Sequence, residues 1–169
     1  MLPKSMLKES VYVREVSADD VYPLRRQVLR NNDPRLDIEF EGDRSPDTVH
    51  FASYYYGKII GVATYMPLKP KEEVLNLILS DSGKSLSDFP QSFLQLRGMA
   101  TDPEFRGINA GRQLLEKGMS ILEESGGGLF WMNARTPALG FYQKRGFKAV
   151  GEEFFIEYAG PHYIMYRFI

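Results

Sequence analysis

The stretch QLRGMATDPEFRGINAGRQLL, from Gln95 to Leu115, narrows the choice of fold more than any other part of the chain. An apolar segment from Phe93 to Thr101 is β-rich, and the Asp102-Pro103 step ends it, because the residue before a proline is pushed out of regular structure. Ile108, Gly111, Leu115, Gly118 and Leu122 then recur at helical spacing, which predicts an amphipathic helix beginning near Gly107. Gly107 permits a sharp turn, and Gly111 permits close approach of a ligand or a neighbouring strand. The amides of Ile108, Asn109, Ala110, Gly111 and Arg112 would lie at the mouth of this helix, where hydrogen bonding and the helix dipole both favour an anion. Arg106 and Arg112 add positive charge. Taken alone, the pattern is equally that of an ordinary tight strand-to-helix connection.

The remaining elements follow from local patterns. Val11 to Val16 reads as a first strand. Ser17 is a candidate cap for a helix whose apolar stripe is Leu24, Val28 and Leu29, with Arg25, Arg26 and Arg30 on other faces. Asn31 to Thr48 is polar, acidic and twice interrupted by proline, so it predicts a long excursion with room for a short helix around Leu36, Ile38 and Phe40. Val49 to Tyr56 and Lys58 to Leu68 flank Gly57 as a hairpin, and Gly61 marks a bulge or a close backbone approach.

Glu72 to Leu86 fits a short helix or an additional strand. Glycines 126, 127 and 128 end the long helix, and Leu129 to Asn133 is a further strand. A second helix starts between Ala134 and Pro137, carries Leu139, Phe141 and Tyr142, and stops before Gly146. Phe147 to Tyr158 and His162 to Ile169 form an aromatic hairpin turning across Ala159, Gly160 and Pro161. This order predicts an α/β layer fold with a mixed sheet. The expected organisation is an N-terminal extension over residues 1–10 and one domain over 11–169.

Composition limits the function. The 21 basic and 22 acidic residues give a formal charge of -1, so nothing demands a polyanionic partner, and nucleic acid is not expected. The absence of cysteine removes thiolate catalysis and disulfides. Two histidines in unrelated stretches predict no metal centre. No segment has the length of a membrane span or the apolar core of a secretion signal, which makes a cytoplasmic protein the expectation.

Gln95 to Gly111 resembles motif A of the GNAT superfamily of N-acetyltransferases, with Arg106, Asn109 and Gly111 on its fixed positions. The family's middle glycine is Asn109 here. Asparagine tolerates left-handed backbone better than other non-glycine residues, so the loop is expected to keep its shape. Asn133-Ala-Arg-Thr-Pro-Ala-Leu-Gly-Phe-Tyr-Gln-Lys-Arg-Gly-Phe147 resembles motif B, in the family's order. The resemblance implies a GNAT-like mixed, mostly antiparallel central sheet with a splayed strand pair and flanking helices.

It also implies acetyl-coenzyme A as co-substrate. The amides of Ile108 to Arg112 would hold its pyrophosphate, and backbone at Met99, Ala100 and Thr101 would pair with the pantetheine arm. Asn133 would bond the same arm or cap the following helix. Tyr142 takes the family's thiolate-protonating position, since a phenol of pKa about 10 can supply a proton to a thiolate whose acid has pKa about 8.5. The general base is less defined: His162 is the leading candidate as base or substrate contact, with His50, Glu39 and Glu41 behind it.

Gln95 and Arg97 are strand residues that could face the acceptor, and Arg26 and Arg30 could contact it. Acidic residues from Asp37 to Asp43 suit a cationic amine, whereas the arginines suit a carboxylate. The expected partner is a small-molecule amine, and a homodimer is open through a sheet edge or the C-terminal hairpin. Two alternatives keep the fold, namely a non-catalytic acyl-coenzyme A sensor and an acyltransferase with a longer acyl donor.

Overall fold

The computed structural model describes Pro3 and residues 10–169, so most of the extension expected over residues 1–10 lies outside the described residues. Among the described residues, seven strands follow the order β1-β2-β3-β4-β5-β7-β6. They are β1 (Val11–Val16), β2 (Val49–Tyr55), β3 (Lys58–Met66), β4 (Phe93–Thr101), β5 (Leu129–Arg135), β6 (Lys148–Ile156) and β7 (Gly160–Phe168). The helices are α1 (Ala18–Leu29), α2 (Glu72–Ser82), α3 (Ala110–Glu124) and α4 (Leu139–Gln143). The sheet is mixed: β1 with β2, β2 with β3, β5 with β7 and β6 with β7 are antiparallel, and β4 with β5 is parallel. The chain forms two compact units, one of residues Met1–Met66 with Arg97–Lys117 and the other of Pro67–Leu96 with Gly118–Ile169.

In the first unit, α1 starts where Ser17 and Asp20 form a capping box: the Asp20 carboxylate accepts from the Ser17 N–H at 3.0 Å and from its hydroxyl at 2.9 Å. Val21 and Leu24 of this helix pack on Ala52, Val62 and Ala100 of the strands. The β2–β3 hairpin closes through Tyr56 and Gly57 with φ of +46° and +76°, the pair of left-handed residues that a tight turn between twisted strands requires. The bulge expected at Gly61 forms, and the close neighbour there is a side chain rather than backbone. The register shifts opposite it, between Ser53 and Tyr54, and a Cβ there would meet Leu114 Cδ1 at 3.1 Å.

That close approach brings α3 under the hairpin, where its first turns are fixed by two buried bonds. Ser53 Oγ donates to the Ala110 carbonyl at 3.0 Å, and the Tyr65 hydroxyl donates to that of Leu114 at 2.5 Å. The excursion from Asn31 to Thr48 contains turns and no helix, so the short helix allowed around Leu36 to Phe40 does not form.

In the second unit, the ambiguous segment after Pro70 is a helix, α2. Its inward residues Val74, Leu75, Ile78 and Leu79 have helical spacing, and they pack on Leu129, Trp131, Val150, Ile164 and Tyr166. Gly83 ends α2 in left-handed conformation, its N–H bonding the Leu79 carbonyl at 3.0 Å. Trp131 Nε1 donates to the Leu68 carbonyl at 2.8 Å, and the Tyr166 hydroxyl reaches Asp81 at 2.5 Å. The parallel β4–β5 pairing runs from Phe93 opposite Leu129 to Leu96 opposite Met132, where β4 passes from one unit to the other. The C-terminal hairpin turns through Glu157, Tyr158 and Ala159 rather than Ala159 to Pro161. Tyr158 supplies the positive φ of +64°, leaving Gly160 and Pro161 paired inside β7.

Candidate active site

The β4-to-α3 turn is fastened to its own unit before it reaches the helix. The Asp102 N–H bonds the Ile60 carbonyl at 2.8 Å, its Oδ1 accepts from the Glu104 N–H at 3.1 Å, and its Oδ2 lies 3.3 Å from Lys58 Nζ. Gly107 then takes φ of +81° and Asn109 +73°. Two left-handed residues cannot belong to a right-handed helix, so α3 begins at Ala110 rather than near Gly107. The asparagine does adopt the left-handed backbone expected of it.

The Gln113 N–H bonds the Asn109 carbonyl at 3.0 Å. The amides of Ala110, Gly111 and Arg112 therefore precede the first bond of the helix and have no carbonyl within it. Ile108 and Ala110 point inward, packed with Val11 and Ile60, while Arg106 and Gly107 are exposed. Arg112 is ion-paired with Glu116 at 2.9 Å, so it contributes less free charge than the sequence suggests. In the preceding strand, Ala100 is buried and Met99 and Thr101 are half-buried.

Upstream on β4, Gly98 takes φ of +59°, and a Cβ there would lie 2.7 Å from Arg25 Nε and 3.0 Å from Phe40 Cε2. The missing side chain lets the strand lie against a buried polar cluster. Arg25, which the stripe pattern assigned away from the core, is fully buried. It donates through Nη1 and Nη2 to Asp43 at 2.5 and 3.2 Å, and to the hydroxyl of Thr64 at 2.6 Å.

Thr64 Oγ1 lies 2.7 Å from His50 Nδ1, and His50 Nε2 lies 2.8 Å from the Asp43 carbonyl. A carbonyl can only accept, so Nε2 carries the proton and Nδ1 receives the threonine hydroxyl. Both nitrogens of His50 thus serve the cluster, which removes it from consideration as a base. Burial pushes the Asp43 carboxyl upward, but bonds from Arg25 and the Phe40 N–H outweigh it and hold it below the ordinary carboxylate range.

Arg26 of α1 and Arg30 at its C-cap hold the acidic excursion. Arg26 Nη1 donates to the carbonyls of Asp33 and Leu36, both at 2.6 Å, and Arg30 Nε to that of Asp37 at 3.0 Å. Arg25 adds the Ile38 carbonyl at 2.9 Å. The excursion borders a cavity of about 490 Å³ lined by Asp37, Glu39, Phe40, Glu41, Asp43 and Arg44. Glu39 is paired with Arg44 at 2.9 Å, leaving Asp37 and Glu41 as exposed acids on this rim.

The second unit holds the other sequence candidates. Gln95 is buried opposite Trp131, and its Oε1 has no hydrogen-bond partner. Asn133 is exposed within β5, opposite Ile164. It caps nothing: the following short helical turn, Thr136–Ala138, has Arg135 as its N-cap and α4 has Ala138, neither with a side-chain bond. Tyr142 is buried among Phe141 and Phe147, with ring centroids at 5.1 and 6.0 Å, and burial raises its phenol above the ordinary value.

His162 lies between Arg135 on β5 and Phe154 on β6, stacked on Phe154 at 5.9 Å. Its Nδ1 donates to the Gly160 carbonyl at 2.8 Å, which leaves Nε2 with a free lone pair. Burial lowers its pKa, Arg135 lowers it further, and the Gly160 bond opposes both.

Sequence reading did not locate Gly98 as the strand's kink or include Phe40 in the site. A glycine inside a strand pattern is the signal that would have found the first. Among the described residues, no group of three or more His, Cys, Asp and Glu side chains could hold a metal ion, and no helix is long and apolar enough to cross a membrane.

Comparison with known proteins agrees with this layout. The chain is 30% identical over 155 residues to YitI, an uncharacterized N-acetyltransferase of Bacillus subtilis (strain 168), covering 92% of this chain and 94% of the relative. Its fold matches Escherichia coli ElaA with a TM-score of 0.65 at 20% identity, over 93% of this chain and 99% of that one. An acyl-CoA N-acyltransferase from Pseudomonas aeruginosa matches with 0.64 at 19%, over 94% and 99%. Residues 18–147 match the profile of the acetyltransferase (GNAT) family, a span that takes in both the β4-to-α3 turn and the β5-to-α4 segment, and the chain belongs to that family.

Proposed function

We propose that this protein transfers an acetyl group from acetyl-coenzyme A directly to a primary amine of a small metabolite, with both substrates bound together. The observation that carries the reading is the left-handed pair Gly107 and Asn109 ahead of α3, which leaves the first-turn amides outside the helical bonding pattern in a chain of this family. Such amides suit a pyrophosphate, and Ile108 to Arg112 are the residues that would hold it. Backbone at Met99, Ala100 and Thr101 would bond the pantetheine arm as a neighbouring strand does, with Asn133 bonding the same arm. When bound, the co-substrate supplies an acetyl group already activated as a thioester.

The residues of this chain then have three tasks. A backbone amide near Met99 stabilises charge on the carbonyl oxygen. Tyr142 gives its proton to the departing sulfur; burial raises its pKa, which keeps the phenol protonated but makes it a weaker acid, so the transfer relies on the charge that builds on the thiolate in the same buried surroundings. The amine must lose a proton before attack, and the neutral Nε2 of His162, directly or through water, is the group available for it. A chain without cysteine offers no thiolate for an acyl-enzyme, which favours direct attack.

The test is an acceptor screen followed by thiol release, run on wild type and Tyr142→Phe with acetyl and longer acyl donors. Turnover that falls sharply in the variant while co-substrate binding persists supports the reading. Binding without turnover of any amine would favour the sensor, and faster turnover of long donors would favour the other acyltransferase.

A further inference from the structure

The ring of Phe40 is surrounded by three guanidinium groups, with the Cζ atoms of Arg25, Arg97 and Arg30 at 4.2, 5.4 and 5.7 Å from its centroid. One carboxylate, Asp43, lies buried among them, and it is fully used by Arg25 and the Phe40 N–H. Arg30 gives its Nε to the Asp37 carbonyl and Nη1 to that of Leu29, both at 3.0 Å. Arg97 holds much less. Its Nη1 makes a long 3.2 Å bond to the Glu41 carbonyl and a 3.7 Å contact with Met66 Sδ, and among the described residues it forms no ion pair.

No Arg97 nitrogen is among the buried atoms left without a partner, so its remaining N–H groups are open to water and within reach of a ligand that can replace it. Desolvation pushes the Arg97 pKa down, while of the neighbouring charges Asp43 and Glu41 oppose that shift and Arg25 adds to it, so partial burial rather than a lack of nearby acid sets the direction. A guanidinium offers a planar fork that matches two oxygens of one carboxylate. The location also fits an acceptor. Arg97 stands two residues before Met99 on β4, next to the kink at Gly98 that sets the strand against Arg25 and Phe40.

We propose that Arg97 anchors a carboxylate on the amine this protein acylates, so that the acceptor is an amino acid or a similar amine bearing a carboxylate. The inference rests on the acyltransferase reading and names its acceptor class. It resolves the conflict between the acidic rim and the arginines. Arg25, Arg26 and Arg30 are structural and Arg97 takes the anion, while the exposed Asp37 and Glu41 favour approach of the ammonium end of the same zwitterion.

The test titrates the full-length protein with the proteinogenic amino acids and, in parallel, with their carboxamides, reading the ¹⁵Nε resonance of Arg97 assigned by its loss in Arg97→Lys. At least one amino acid is expected to shift that signal while its amide does not. Arg97→Gln should weaken binding of that amino acid about tenfold or more, with Arg97→Lys in between. With acetyl-coenzyme A present, the loss in Arg97→Gln should fall on the acceptor KM more than on kcat, whereas a misplaced strand would lower both.

The proposal is overturned if no amino acid moves the signal, if amides bind as tightly as acids, or if Arg97→Gln binds the acid unchanged while melting like wild type. Calorimetric binding of acetyl-coenzyme A, measured on the same samples, reports separately on the acyltransferase reading. Its failure would leave the Arg97 resonance free to report on the anion.

Discussion

Arg25 Nη1 lies 2.5 Å from Asp43 Oδ2, and both side chains are almost completely removed from water. The pair joins the middle of α1 to the far end of the excursion that follows it, so removing one partner strands a buried charge. Asp43→Asn is expected to cost about 3–5 kcal/mol, measured by urea unfolding. Replacing both residues with well-packed apolar ones should cost much less. A single variant as stable as wild type would show that the pair is not buried in solution.

The same carboxylate predicts an acid limit. Because the folded pKa of Asp43 is depressed, its contribution is complete above the unfolded value of about 3.9 and is lost as pH falls through the folded value. Wild type should therefore lose stability more steeply than the doubly apolar variant as pH is lowered through that range.

His162 acts in a different window. Its folded pKa is depressed below the unfolded value of about 6.5, so the stabilisation from keeping it neutral is full above that pH and declines as acid is added. The melting temperature of His162→Phe, which keeps a ring against Phe154, should be flatter than that of wild type between pH 7.5 and 5. If Nε2 also serves as the base, turnover by this variant will fall while co-substrate binding stays.

Asn109 is the residue where the turn departs from glycine. Asn109→Gly should preserve co-substrate affinity and stability, because glycine accepts φ of +73° without strain. Asn109→Val should lose about 1–2 kcal/mol of stability and bind the co-substrate more weakly. Calorimetry with acetyl-coenzyme A checks both, and equal binding by the valine variant would show that the turn does not position the ligand.

Tyr142→Phe removes one oxygen from a buried ring and leaves its contacts with Phe141 and Phe147. A drop in kcat of about a hundredfold is expected from loss of an acid, with little change in co-substrate affinity. A thiol-release rate equal to wild type would eliminate the phenol as proton donor.

Strand and helix periods made most of the fold readable from the chain. β-rich segments on either side of a turn defined the hairpins, and the helical spacing of Ile108, Gly111, Leu115, Gly118 and Leu122 defined α3. The segment from Glu72 to Leu86 stayed ambiguous because its apolar run, Val74-Leu75 then Leu77-Ile78-Leu79, fills both patterns; only Leu77 turning outward in the fold separates them.

Site legibility divided in the same way. The turn at Gly107 and Asn109 is local, so backbone chemistry revealed it. Arg25 could not be read as buried, because the groups that make its burial tolerable, Asp43 and Thr64, lie 18 and 39 residues away. The state of His162 depends on Phe154 and Arg135, which only strand register brings beside it.

Arg25 and Arg26 of α1, with Arg30 at its C-cap, seize the excursion by the carbonyls of Asp33, Leu36, Asp37 and Ile38. Every amino acid brings that same carbonyl, so residues there can change identity without the path of the segment changing. What this edge of the protein accepts can thus be altered through a handful of outward side chains while the course of the chain beneath them stays the same.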